Sequence, residues 1–242
     1  MSWILAIFSC QGSEKTEGAG EAGVLIRSGV FQLDWDMESE PASELSIENN
    51  LGYQIEVSRG YFSSYSVRLY PCVEISSAQL ILPISSASAG HSDILIPGNW
   101  MNPIVEDLLN RDNITQEKSF EEHQVCELVY TLARADGSSQ NLPEDIELEN
   151  LSIYVEGTWR KDGAEQRFMW VSNLPAERVF SLDNCTRHEH YDDGKGMVIQ
   201  LTRDISGVFD NIDFANGVDE QNGALQMLTN LVQDTQLHCW NF

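Results

Sequence analysis

Between residues 51 and 83 the chain reads LGYQIEVSRGYFSSYSVRLYPCVEISSAQLILP, and apolar positions alternate with polar ones. Residues 53–57, 67–73 and 79–82 interleave Tyr, Ile and Val with Gln, Glu, Arg and Ser. A period of two predicts three strands, each with one buried and one solvated face, because successive side chains leave a strand on opposite sides. The same alternation returns over residues 151–159, where Ile153, Val155 and Gly157 oppose Tyr154 and Glu156. Lys161-Asp162-Gly163 is a turn signal, and residues 166–171, QRFMWV, are predicted to return as the second arm of a hairpin. Residues 23–35 are β-rich and open the fold; residues 125–133, VCELVYTLA, are nearly apolar and predict a central strand. Residues 197–202, MVIQLT, read as the last strand.

The period changes toward the C-terminus. Ala224, Leu225, Leu228, Leu231 and Val232 recur at three and four, which predicts a helix over residues 218–237 capped by Asp219 or Asn222. A shorter helical signal starts at Asn102-Pro103, where Asn caps, Pro takes the first turn, and Ile104, Val105, Leu108 and Leu109 share a face. Residues 36–50, 110–122 and 184–196 are polar and read as loops, and residues 136–141 form a turn cluster. Roughly seven strands separated by turns, with one helix at the end, predict a mainly β chain: a β-sandwich with a C-terminal capping helix. No internal repeat or composition break divides residues 24–242, so they are expected to form a single domain.

Charge narrows the list of partners. Fourteen basic residues against 38 acidic ones give a net charge of −24. Such a surface repels phosphate backbones and anionic lipid headgroups, which excludes nucleic-acid binding. The N-terminus suggests a different route to a membrane. Residues 1–9, MSWILAIFS, are apolar and end at Cys10; Ile7-Phe8-Ser9-Cys10 resembles a bacterial lipobox, in which the cysteine becomes the lipidated first residue. The run is short and has no Lys or Arg before it, so residues 1–9 are read as a truncated lipoprotein signal peptide. An ordinary N-terminal strand is the plainer reading. Residues 10–23 continue as a Gly- and Glu-rich tether that cannot pack a core. No other segment is apolar enough to span a membrane.

Five cysteines are an odd count for a secreted chain. With Cys10 assigned to the lipid, Cys72, Cys126, Cys185 and Cys239 remain, and these allow three connectivities. Cys72–Cys126 with Cys185–Cys239 is favoured, one bridge for each half, against the alternative of four buried thiols. The spacing holds no C-x-x-C.

Motifs for nucleophilic catalysis, nucleotide binding and zinc proteolysis are missing, so no enzymatic activity is expected. Asp210, Asp213 and Asp219 crowd one stretch, but their spacing is not that of an EF-hand, and turn formation and capping are the expected roles. Histidine is scarce, at five residues. His188 and His190 form H-E-H, which on an extended segment presents both imidazoles to one side. A Cys185–Cys239 bridge would bring that segment toward His238. Three imidazoles would suit a copper-type ion, with Met197 or Met169 as soft ligands and His91 and His123 as further candidates. The competing reading is three solvated histidines on polar segments.

Several stretches carry a resemblance. YFSSYSVRLYPC at residues 61–72, AGHS at 89–92, VCELVYTLARAD at 125–136, LSIYVEGT at 151–158 and VFDNIDF at 208–214 together resemble a group of uncharacterised myxobacterial-type lipoproteins. More distantly, YFSSYSVRL and VFDNIDF look like the MbnP-type periplasmic copper-binding proteins, which are β-sandwiches. The tryptophan-rich and HLG segments of that group have no counterpart here, although Phe168-Met169-Trp170 falls near the expected place of the latter. The resemblance implies an outer-membrane lipoprotein of the bacterial cell envelope, facing the periplasm or the cell surface and binding copper. The alternative is a metal-free envelope module that binds a protein or a glycan.

Overall fold

A computed structural model describes residues 24–36, 44–72, 103–182, 185 and 197–241. In chain order the elements are β1 (Val24–Trp35), β2 (Leu45–Glu48), β3 (Gln54–Pro71), β4 (Ile104–Asp107), β5 (Ile114–Leu132), β6 (Ile153–Lys161), β7 (Ala164–Ser172), β8 (Ala176–Ser181), β9 (Met197–Arg203), α1 (Glu220–Asp234) and β10 (Gln236–Asn241).

Two of the strands are much longer than the rest: β3 has 18 residues and β5 has 19. The alternating runs at 53–57 and 67–73 are therefore halves of one strand, bridged by the small residues Ser58, Gly60, Ser63 and Ser64. Phe62 pairs with Ile153 on one edge and Glu106 on the other, whereas Ser64 pairs with Leu132 and Ile104. One edge of β3 thus passes from β6 to β5 at Ser63, and a bulge between Ser64 and Ser66 bends the strand there. Similarly, β5 pairs with β1 through its first half and with β3 and β8 through its second.

The first half of β3 joins β2, β6 and β7 in one layer, and the first half of β5 joins β1, β9 and β10 in the other. The mutual pairing of their second halves links the layers in the order β10-β9-β1-β5-β3-β6-β7. Among the described strands all pairs are antiparallel except β1 with β9. The result is the expected β-sandwich with a helix near its C-terminal end.

The core between the layers is aromatic. Trp170 stacks on Phe214 at 4.8 Å, and Tyr53 meets the Trp159 ring edge-on at 5.4 Å. Ile153, Val155, Gly157 and Trp159 of β6 face inward, as their alternation predicts. Asp162 (φ 50°) and Gly163 (φ 82°) form the turn to β7, a conformation that Asp-Gly tolerates and most pairs do not. Helix α1 packs across β7 and β8 and so covers the open side of the sandwich.

Four local expectations are corrected. The helical signal at Asn102-Pro103 is strand β4, because its Val105 N–H is taken by the Gln140 carbonyl and its residues pair along β3. The loops read at 36–50 and 110–122 contain β2 and the start of β5, polar strands made by pairing rather than propensity. The C-terminal helix stops at Asp234, not residue 237. Beyond it Gln236–Asn241 pairs with β9, while Arg178 of β8 donates to the carbonyls of Val232, Gln233 and Thr235 at the helix end. The strand read at residues 79–82 lies outside the described residues.

Both favoured disulfides are formed. Cys72–Cys126 ties the end of β3 to β5, and Cys185–Cys239 ties the chain beyond β8 to β10; each closes a separation of 54 residues. Loops of that length correspond to about 4 kcal/mol each through restriction of the unfolded chain. Two such bridges assign the protein to an oxidising compartment outside the cytosol. Among the described residues no helix is long and apolar enough to cross a membrane.

A Cβ on Gly157 would lie 2.2 Å from the Glu56 carbonyl oxygen, a backbone atom of β3. Gly157→Ala should therefore destabilise the protein by at least about 1–3 kcal/mol in urea unfolding. An unchanged midpoint would show that β3 and β6 separate without cost.

Candidate functional site

Of the candidates centred on histidine, His238, His123, Met197 and Met169 lie among the described residues. His238 lies on β10 opposite Gln200, exposed on the outer face. Cys239, its neighbour, turns the other way to meet the buried Cys185. Met197 shares the inward face of β9 with Ile199 and Leu201 and is a core residue, which removes it as a ligand partner for His238. Met169 is half exposed on β7. His123 sits on β5 opposite Ile26. His91, His188, His190 and Cys10 lie outside the described residues. Among the described residues no group of three His, Cys, Asp or Glu is placed to hold a metal ion.

The aspartates of residues 210–219 have the expected local roles. Asp219 caps α1 by accepting from Asn222 N at 2.9 Å. Asp213 accepts from the Tyr53 hydroxyl at 2.5 Å, and Asp210 accepts from Asn50 N at 2.9 Å. Asn49 donates to the Phe209 and Ile212 carbonyls at 3.1 and 2.9 Å, so this loop is clamped to the β2–β3 turn.

The described residues do form a site that the sequence did not reveal. The chain after β5 folds back over the outer face of β3 and β4, burying Val105, Ala135 and Leu148 in a second small core against Tyr61 and Tyr154. Between this cover and β4 lies a cleft of about 450 Å³. Tyr61, Asp107, Asn110, Asp112, Glu144 and Asp145 line it, with Glu106 in its wall. Apart from Tyr61, every ionisable residue among the described lining is an acid. Local bonds set the rim: Asp107 accepts from Leu109 N at 2.8 Å, and Asn110 donates to Asp112 at 3.1 Å. Arg59 reaches Asp145 at 3.4 Å while its Nε pairs with Glu156 at 3.0 Å. Burial pushes the Tyr61 hydroxyl above its ordinary range, and the charges of Asp107 and Asp145 push it further, with Arg59 opposing.

Behind the cleft wall is a buried ion pair. Glu106 shares the face of Phe62 and turns inward, where it pairs with Arg203, whose side chain is 0% exposed. The guanidinium lies 4.2 Å from the Trp35 ring centre. The Ser64 hydroxyl donates to Glu106 and is 2.7 Å from the Tyr130 hydroxyl. Burial acts to lower the Arg203 pKa, but the adjacent Glu106 carboxylate reverses this and raises it. Burial likewise pushes Tyr130 up to about 12. Glu106 is therefore committed to Arg203.

Nothing in the sequence pattern marks these residues: Asp107 and Asp112 come from stretches read as a helix and a loop, and Asp145 falls between the turn cluster at 136–141 and the strand that starts at residue 151. Compared with known protein families, curated proteins and solved structures, the chain matches none.

Arg203→Met leaves Glu106 buried without its partner and should cost about 3–5 kcal/mol in urea unfolding, most of it restored by adding Glu106→Leu. If the double variant is no more stable than the single one, the pair does more than neutralise charge. In the cleft, Asp107→Asn should lower the Tyr61 pKa toward the ordinary tyrosine range in an NMR titration. An unmoved Tyr61 would mean that Asp107 does not act on it.

Proposed function

We propose that this protein is a membrane-tethered module of the bacterial cell envelope that binds a partner protein through a basic segment. The observation that carries the reading is the cleft beside β4, whose ionisable lining groups other than Tyr61 are, among the described residues, all acids. Tyr61 and Asn110 add an aromatic surface and an amide for contact with the segment, and the net charge of −24 steers a cationic partner toward the protein. The tether is residues 10–23, anchored through a lipid on Cys10. Disulfides suit this setting, since they persist where the envelope is oxidising.

The probe is an oligolysine peptide titrated at low ionic strength, with an oligoglutamate of equal length as control. Oligolysine should bind, weaken with salt, and weaken again in Asp107→Asn and Asp145→Asn. Binding that ignores both substitutions, or no binding at all, would sink the assignment of the cleft. The anchor is tested separately: Cys10→Ser, with the full leader present, should abolish fatty-acid labelling of the membrane fraction.

One observation supports a second reading, in which the protein binds copper. The Cys185–Cys239 bridge holds two Cα atoms 5.5 Å apart, next to His238 and three residues before His188. Three residues span at most about 11 Å and five about 18 Å, so the bridge sets an upper limit on how far His188 and His190 can lie from Cys185. Calorimetric titration with Cu(II) and Zn(II) should then show binding that is lost in His188→Ala and His238→Ala. Tight binding that survives both substitutions points instead to His91; no binding removes copper from consideration.

A further inference from the structure

The chain contains two Asn-Gly pairs, Asn216-Gly217 and Asn222-Gly223, on either side of the start of α1. Asn before Gly is chemically labile, because a residue without Cβ lets its backbone nitrogen approach the asparagine side-chain carbon. The fold treats the two pairs differently.

Asn222-Gly223 belongs to the first turn of α1. The Gly223 N–H donates to the Asp219 carbonyl at 2.9 Å, which directs the nitrogen along the helix. Asn222 donates from N and Nδ2 to the two Asp219 carboxylate oxygens at 2.9 and 2.6 Å. Gly223 is also buried, with three Trp170 ring atoms 2.9 Å from where its Cβ would stand. Neither the attacking nitrogen nor the side chain can rearrange without opening the helix end.

Asn216-Gly217 lies in an exposed turn. Gly217 has φ +75° and no atom within 4 Å of its Cβ position, so the turn has free space around it. The Asn216 Nδ2 donates to Asp213 at 2.6 Å, and its N–H approaches the other Asp213 oxygen at 3.4 Å. Asp213 also accepts from Tyr53, a core residue whose hydroxyl in turn accepts from Ala215 N at 3.0 Å. The Asn216 amide is thus part of the clamp between this loop and β3.

We propose that Asn216 is a site of spontaneous deamidation, left open by the fold while Asn222 is closed, and that its conversion loosens the Asp213–Tyr53 clamp. The Gly217 nitrogen, having given its proton to solvent base, attacks Asn216 Cγ. The new N–Cγ bond forms a cyclic imide, the Cγ–Nδ2 bond breaks, and ammonia leaves with protons from solvent. Water then opens the imide at one of its two carbonyl carbons, giving an aspartyl or isoaspartyl residue at position 216. No oxidant or enzyme enters the balance. The product carboxylate cannot donate to Asp213 and adds a like charge beside it. The isoaspartyl product also lengthens the backbone within the turn.

The test is prolonged incubation of the intact, disulfide-bonded protein at mildly alkaline pH, followed by peptide mapping. A parallel sample is held unfolded in urea. Asn216 should convert in the native protein while Asn222 stays intact, whereas in urea both should convert. Native Asn222 converting as fast as Asn216, or native Asn216 surviving while both convert in urea, overturns the site. The consequence is read with Asn216→Asp, which should melt below both the parent and Asn216→Ser, a variant that removes the amide without adding charge. A melting temperature equal to that of Asn216→Ser overturns the charge effect, and one equal to that of the parent overturns the loosening of the clamp.

Discussion

The pairing of β3 with β5 is the constraint on which the rest of the molecule depends. Each strand is long enough to serve both layers, and each changes neighbours along its length. Strands β6 and β7 take their places from the first half of β3, and β1, β9 and β10 take theirs from the first half of β5. If the second halves did not pair, the two layers would have no common backbone hydrogen bonds along the strand order. Cys72–Cys126 lies where this pairing ends, so the covalent bond holds the register at the point where fraying would begin.

The bend in β3 also explains why charge is buried next to an aromatic core. Where the strand leaves one layer at Ser63 and Ser64, four-residue β4 fills the other edge and carries Glu106 inward. A lone carboxylate there would be expensive, and Arg203 arrives from the end of β9 to meet it, against Trp35 and beside Ser64 and Tyr130. The ion pair ties β4, otherwise held by a short ladder, to the opposite layer. On its outer side the same strand carries Asp107, so one short element supplies the structural charge inside and part of the acidic cleft outside. The interior carboxylate is neutralised by a dedicated partner; of the outer ones, Asp145 meets Arg59 at the rim.

Much of this architecture was legible along the chain. The alternation of Ile153, Val155 and Gly157, the Asp162-Gly163 turn and the three-four spacing of Ala224, Leu228 and Leu231 read directly into β6, its hairpin and α1. These are local signals: the residue pattern and the element's own geometry have the same period. Pairing the four cysteines one bridge to each half was also sound. The readings that failed were those in which a partner overrode local preference. Asn102-Pro103 looks like a helix start, yet the exposed edge of β3 and the Gln140 carbonyl make the following residues a strand. The segment after Asp234 is helical by spacing, but pairing with β9 and the capping of the helix end by Arg178 stop it.

The β class, the terminal helix, the hairpin turn and the strong negative charge follow from periodicity, backbone preference or composition and need no distant partner. Long-range packing makes two alternating runs one bent strand, brings Glu106 and Arg203 together in the interior, and places Asp107, Asp112 and Asp145 in one cleft. It also separates two identical Asn-Gly pairs, one locked into a helix turn and one left in an open loop. The physical reason is common to all of these. Contacts between residues far apart along the chain depend on how strands bend and register against one another, and that information resides in pairing energies between segments rather than in any segment's own pattern.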